Sequence, residues 1–138
     1  MKPDPQTTLM INTASDPATI GFQGSFTNVA SGRAVSTQLL RQIDTLLRQC
    51  GAQLEDVSAI AVTIGPGSFT SLRIGIAAAN ALAWTRSLPV IEVDKESAAS
   101  PELFQVFVRQ ACRDRRFVKS AMPNYGRPPS ITPLPNGS

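Results

Sequence analysis

The chain has 138 residues, 42% of them apolar and 17% charged, with a formal net charge of +3, a composition that suits one globular domain with a tail. No apolar run reaches the roughly 18 residues that span a bilayer. Histidine is absent, which removes His-based triads, histidine general bases and nearly all zinc sites with histidine ligands in one step, and the two cysteines, Cys50 and Cys112, cannot complete a tetrahedral zinc site alone.

The amino terminus, MKPDPQTTLM, has no signal-peptide core, so a cytoplasmic location is expected. Cysteines on helix faces in such a compartment read as buried thiols rather than a bridge. Thr8 to Thr13 reads as a strand, with Leu9 and Ile11 on one side and Met10 on the other. Ala14-Ser15-Asp16-Pro17 is a turn, because Asp and Ser bond nearby amides and Pro fixes its own φ. A second strand, Ala18 to Gln23, follows as a hairpin partner, and Phe26, Val29 and Ala30 mark a third before the Ser31-Gly32 turn.

Ser36 to Cys50 is the clearest helix. Leu39, Leu40, Ile43, Leu46, Leu47 and Cys50 recur at three- and four-residue steps, which gathers them on one face. Asp44 and Arg48 form an acid-before-base pair one turn apart, and Gly51 stands where a left-handed cap belongs.

Val57 to Val93 forms one strand, helix, strand unit. Val57, Ala59, Ile60, Ala61, Val62 and Ile64 make a nearly continuous apolar run, which suits a strand covered on both faces. Gly65, Pro66 and Gly67 break it: Pro66 offers no donor to a ladder, and glycine takes backbone angles closed to other residues. Leu72 to Thr85 reads as a helix, and Val90 to Val93 as a second strand parallel to the first. At about 100° per residue, the helix has one polar stripe, carrying Arg73 and Asn80; the other sides are apolar or small. The sheet covers one side, so another layer must cover more, either a neighbour in this chain or a partner.

Ser100-Pro101-Glu102 is a helix start, with Ser as cap, Pro at the first position and an acid beside the positive end of the dipole. Leu103, Phe104, Phe107, Val108 and Ala111 follow at helical spacing, and the Pro-rich stretch from Phe117 reads as an extended tail. The division is therefore a lobe over 1–97, a carboxyl-terminal helix over 98–116 and a tail over 117–138. Arg109, Arg113, Arg115, Arg116, Lys119 and Arg127 have one nearby acid, Asp114. Such a segment suits RNA phosphate or an acidic partner, and it equally suits a solvated helix end beside the macrodipole. Interleaved stacking aromatics would strengthen the RNA case, and only Phe117 and Tyr125 are on offer.

Gly65 to Gly75, GPGSFTSLRIG, closely resembles the GPGSFTGLRIG signature of the TsaB family, the YeaZ-like partner subunits in tRNA threonylcarbamoyladenosine biosynthesis. Leu9 to Phe22 resembles that family's opening hairpin, Ser36 to Leu47 its first helix, Leu88 to Val93 its closing strand, and Pro123 to Ile131 its carboxyl-terminal sequence. The resemblance covers about residues 8 to 95 in the right order, beyond what one short motif supplies. It implies an α/β fold of the ribonuclease H-like, actin-like ATPase type: a mixed five-stranded sheet with three antiparallel strands, then helix, strand, helix, strand. Three departures accompany it. Asn12 stands where relatives usually carry an aspartate, and an amide cannot act as a base. Val35 replaces a histidine, and Ser71 a signature glycine. The family's second lobe is also not expected here, which leaves half of an actin-type nucleotide cleft missing.

The resemblance implies a non-catalytic scaffold that pairs with a TsaD-like catalytic subunit, which would carry the ATP and metal; no cofactor is expected on this chain. The expected partner seam is Leu39, Ile43, Leu46 and Leu47 of the first helix with Arg73, Ile76, Asn80 and Trp84 of the second, as a four-helix interface; the sequence does not say which arc faces the sheet, and the alternative for the first-helix residues is plain core. The same helices would pair two copies of this chain when the partner is missing. The alternative is a small nucleotide-binding or hydrolysing protein, with Gly65, Pro66, Gly67, Ser68, Phe69 and Thr70 cradling phosphate at a helix start. Against it, the turn has neither the Walker lysine nor the Rossmann spacing.

Overall fold

The computed structural model describes residues 2–29, 34–67 and 69–124, with the side-chain surroundings of 34–36 and 69 left out. Ser68 and the tail from Tyr125 on, Arg127 included, lie outside the described residues, as do the side chains of Val35 and Phe69. The elements are β1 (Thr8–Asn12), β2 (Ala18–Phe22), β3 (Ser25–Val29), α1 (Ala34–Gln49), β4 (Ala59–Gly65), α2 (Phe69–Arg86), β5 (Val90–Asp94) and α3 (Pro101–Arg113). This is the order read from the sequence, and α2 starts earlier than the Leu72 inferred there.

The strands form one sheet in the order β3-β2-β1-β4-β5. The first three pair antiparallel, with Ile11 opposite Ile20 and Ile20 opposite Thr27. β4 runs parallel to β1, Leu9 opposite Ile60, and β5 parallel to β4, Ile60 opposite Val90. Alternation along each strand sends side chains to two covered faces. On one face Leu9, Ile11, Ile20, Phe22, Ile60 and Val62 pack with Leu39, Ile43, Leu46 and Leu47 of α1 and with Leu72, Ile76, Ala79 and Ala83 of α2. On the other, Met10, Ala61, Ile91 and Val93 meet Phe104, Val108 and Ala111 of α3. Covering on both faces explains why Leu9 to Ile11 of β1 and Ala59 to Val62 of β4 are consecutive apolar residues rather than alternating.

α3 starts as its sequence dictates: the Ser100 hydroxyl accepts the Leu103 amide at 3.1 Å, with Pro101 at the first position. Beyond it the chain returns along β5. Val118 and Val90 exchange two backbone hydrogen bonds of 2.9 and 2.8 Å, and the Asn124 amide donates to the Ile64 carbonyl at 2.6 Å. This strap occupies hydrogen-bonding groups of an edge strand that would otherwise be open to another chain. No helix among the described residues is long and apolar enough to cross a membrane.

Candidate functional site

The glycine turn stands at the carboxyl end of β4, and its small residues let three segments close on one another. Gly65 has φ +120, and a Cβ there would run into the Asn124 carbonyl oxygen, so backbone freedom and space both require glycine. A Cβ on Gly67 would lie 3.2 Å from the Ala14 main chain. One on Gly75 would overlap the Thr13 hydroxyl. The Gly65 carbonyl accepts the Lys95 amide at 2.8 Å. The signature thus joins the end of β1, the strap and the segment after β5. Pro66 and Thr70 are exposed.

Asn12, at the end of β1, is 3% exposed. Its Nδ2 donates to the Ala98 carbonyl at 3.2 Å and to Ser15 Oγ at 3.4 Å. Its Oδ1 accepts the Ala14 amide at 3.0 Å and the Thr63 hydroxyl at 3.0 Å. Every polar atom of the side chain is engaged inside the protein. A carboxylate would lose the donor and set an anion against the Ala98 carbonyl, so this position does not fit the metal that an actin-type site would hold. Nearby, Asp94 accepts the Ser97 hydroxyl at 2.6 Å, and that bond holds its carboxyl below the ordinary range, with desolvation opposing. Among the described residues no three His, Cys, Asp or Glu side chains stand together as a metal site.

The seam expected on α1 and α2 is largely closed. Leu39, Ile43, Leu46, Leu47 and Ile76 are each no more than 5% exposed, because the apolar face of α1 and one side of α2 lie on the sheet. These five belong to the core and are not available to a partner while the fold stands. Asn80 is also taken: its side chain holds Ala121 of the strap through both polar atoms. Arg73 is exposed, and Trp84 is 86% exposed.

The outward arc of α2 is instead Thr70, Arg73, Ala77, Ala81 and Trp84, all exposed, bordered by half-buried Ile74 and Ala78. Ala77 and Ala81 are absent from the seam read from the sequence. Their i, i+4 spacing between Arg73 and Trp84 is the signal that could have placed them. Leu40 of α1 is also exposed.

The basic segment is on the surface. Arg109, Arg113 and Arg115 are exposed. Arg116 sits 3.4 Å from Asp114 and lies over the Phe107 ring, 5.5 Å from its centre.

Residues 21–100 match the family described as TsaD, tRNA N6-adenosine threonylcarbamoyltransferase. The tRNA threonylcarbamoyladenosine biosynthesis protein TsaB of Haemophilus influenzae is 31% identical over 104 residues, which is 72% of this chain and 44% of that protein. The tRNA N6-adenosine threonylcarbamoyltransferase of Limosilactobacillus fermentum is 38% identical over 73 residues, 53% of this chain and 21% of that protein. The solved structure of YeaZ from Pseudomonas aeruginosa superposes with a TM-score of 0.60 at 26% identity, covering 80% of this chain and 50% of that one. The chain therefore spans at most half the length of these relatives. Its sheet order, its glycine turn against β1 and these matches agree: the chain belongs to the TsaB, YeaZ-like family and has the ribonuclease H-like, actin-type α/β fold.

Proposed function

We propose that this chain is a non-catalytic partner subunit in tRNA threonylcarbamoyladenosine biosynthesis, working in the cytoplasm. It pairs there with a TsaD-like catalytic subunit that modifies the adenosine beside the anticodon. The observation that carries this reading is the outward face of α2, where Ala77 and Ala81 form an exposed, shallow stripe between Arg73 and Trp84. Small apolar residues let a helix from another subunit approach closely, and the exposed Ala77, Ala81 and Trp84 on that side gain from being covered. The pairing face is thus this arc, with Arg73 and Trp84 kept from the seam read in the sequence and Ala77 and Ala81 added.

ATP and metal belong to the partner in this reading, which the engaged Asn12 amide supports on this side. The basic end of α3 gives the assembly a surface for tRNA phosphate. Without the catalytic subunit, a second copy of this chain takes the same stripe.

Co-purification with the TsaD-like protein of the same cell tests the proposal, with sedimentation of the chain alone and with that protein. A stable complex that replaces self-association is the expected result. No complex, together with micromolar binding of ATP or GTP and magnesium by the chain alone, would overturn it in favour of a nucleotide-binding protein.

A further inference from the structure

The last turn of α2 opens onto a pocket of about 700 Å3. Ala83, Trp84, Leu88, Pro89, Phe117 and Lys119 are among its walls. Trp84, the only tryptophan of the chain, is 86% exposed. On the helix, one flank of this residue borders the Ala77 and Ala81 stripe, and the other borders the pocket. Phe117 and Lys119 come from the strap, which follows directly on Arg113, Arg115 and Arg116. Asp114 is the one acid in residues 109–119.

A partly apolar recess with an open indole and a lysine, on a strap that follows the exposed arginines at the end of α3, asks for a partner with flat rings and a regular line of negative charge. An acidic peptide would satisfy the cations and has no obligatory ring. A nucleic-acid duplex keeps its bases stacked inside and offers only phosphate. A single strand offers both, since each base has a face to stack and each linkage a charge to pair. The sequence placed two aromatics near the basic segment; folding adds Trp84 from a helix more than thirty residues away.

We propose that this pocket takes an unpaired base of a single-stranded nucleic acid. The base stacks on Trp84, while Lys119 and the arginines at the end of α3 hold the flanking phosphates. The proposal deepens the reading of the basic segment as a tRNA surface and rests on it.

The emission of Trp84 reports directly on the site. The purified chain is titrated with a mixed-sequence single-stranded RNA, its DNA equivalent, an RNA duplex of the same length, inorganic polyphosphate and the TsaD-like protein. Quenching by single strands but not by polyphosphate or duplex is expected. Read by the anisotropy of a dye-labelled strand, which needs no tryptophan, Trp84→Ala should weaken single-strand binding about tenfold, with Trp84→Phe keeping part of it. Lys119→Gln should lower the slope of log affinity against log salt by about one. Far-UV circular dichroism of each variant checks that the fold is kept.

Equal quenching by polyphosphate, or single-strand binding unaffected by Trp84→Ala, would overturn the stacking site. Quenching by the TsaD-like protein and not by nucleic acid would also overturn it, by giving Trp84 wholly to the pairing face. In that case the subunit reading stands. A quenched, single-strand-binding chain that pairs with no TsaD-like protein would instead sink the subunit reading and keep this one.

Discussion

Asn80 and Ala121, 41 positions apart, exchange two hydrogen bonds: Nδ2 donates to the Ala121 carbonyl at 3.1 Å, and Oδ1 accepts the Ala121 amide at 2.8 Å. A side-chain amide here copies the donor and acceptor pair of a neighbouring strand. It seats Ala121, 2% exposed, in the core, and keeps the strap beside α2. Asn80→Ala leaves both backbone groups short of partners and should cost about 1 to 3 kcal/mol in urea unfolding. Asn80→Asp keeps the acceptor, loses the donor and faces a carbonyl with an anion, so it should do no better than alanine. Trypsin should cut faster at Lys119 in either variant, and unchanged cleavage would show that the strap is held by other contacts.

The glycine turn makes a second, separable prediction. Thr13 is 1% exposed, and among the described residues its hydroxyl has no hydrogen-bond partner. Gly75 leaves room for it. Gly75→Ala adds a methyl that overlaps this hydroxyl, and overpacking of about 1 to 3 kcal/mol should outweigh the better helix propensity of alanine, about 1 kcal/mol. Thr13→Ala removes the overlapping atoms, so the double variant should recover most of the loss. A double-mutant cycle with no coupling would contradict the contact.

Asp94 gives a pH dependence with a definite sign. Its carboxyl is held below the ordinary range, chiefly by the Ser97 hydroxyl. A depressed folded-state value means that the bond stabilises the protein above the unfolded-state value, near pH 4. The contribution then fades as pH falls through the folded-state value. Ser97→Ala should therefore be less stable than the parent at neutral pH, with the gap narrowing on the acid side. A gap that is flat from about pH 6 to about pH 2 would remove the linkage.

Local pattern carried most of the fold. The three- and four-residue steps of Leu39, Ile43, Leu46 and Leu47 gave α1, and the apolar run of β4 gave a strand covered on both faces. Ser100 and Pro101 gave the start of α3. The site was less legible because α2 is apolar around most of its circumference, so periodicity could not say which arc lies on the sheet. Ile76 is ambiguous for that reason; Leu39, Ile43, Leu46 and Leu47 share one clear face of α1, but periodicity does not say whether a sheet or a partner covers that face, and the sheet claims all five. Asn80 looked like a surface polar residue because nothing local reveals a hydrogen bond to a segment 41 positions on. The strap's pairing with Val90 was invisible on the same ground.

Core and pairing face can be told apart by two substitutions of opposite character. Leu46 is 2% exposed in the layer between α1 and the sheet, so Leu46→Ala should cost about 2 to 5 kcal/mol. Any loss of pairing in that variant would follow the loss of fold. Ala77 is exposed on the outward arc of α2, and arginine is a good helix former. Ala77→Arg should therefore stay within about 0.5 kcal/mol of the parent in stability. It nonetheless places a long charged side chain where a second helix must approach closely, so the TsaD-like protein should no longer co-purify with a chain that melts normally. Thr45→Arg, an exposed change on α1, serves as the control for added charge and should leave the complex intact. If Ala77→Arg pairs as the parent does, the stripe between Arg73 and Trp84 is ordinary surface, and the subunit reading loses the observation that carries it.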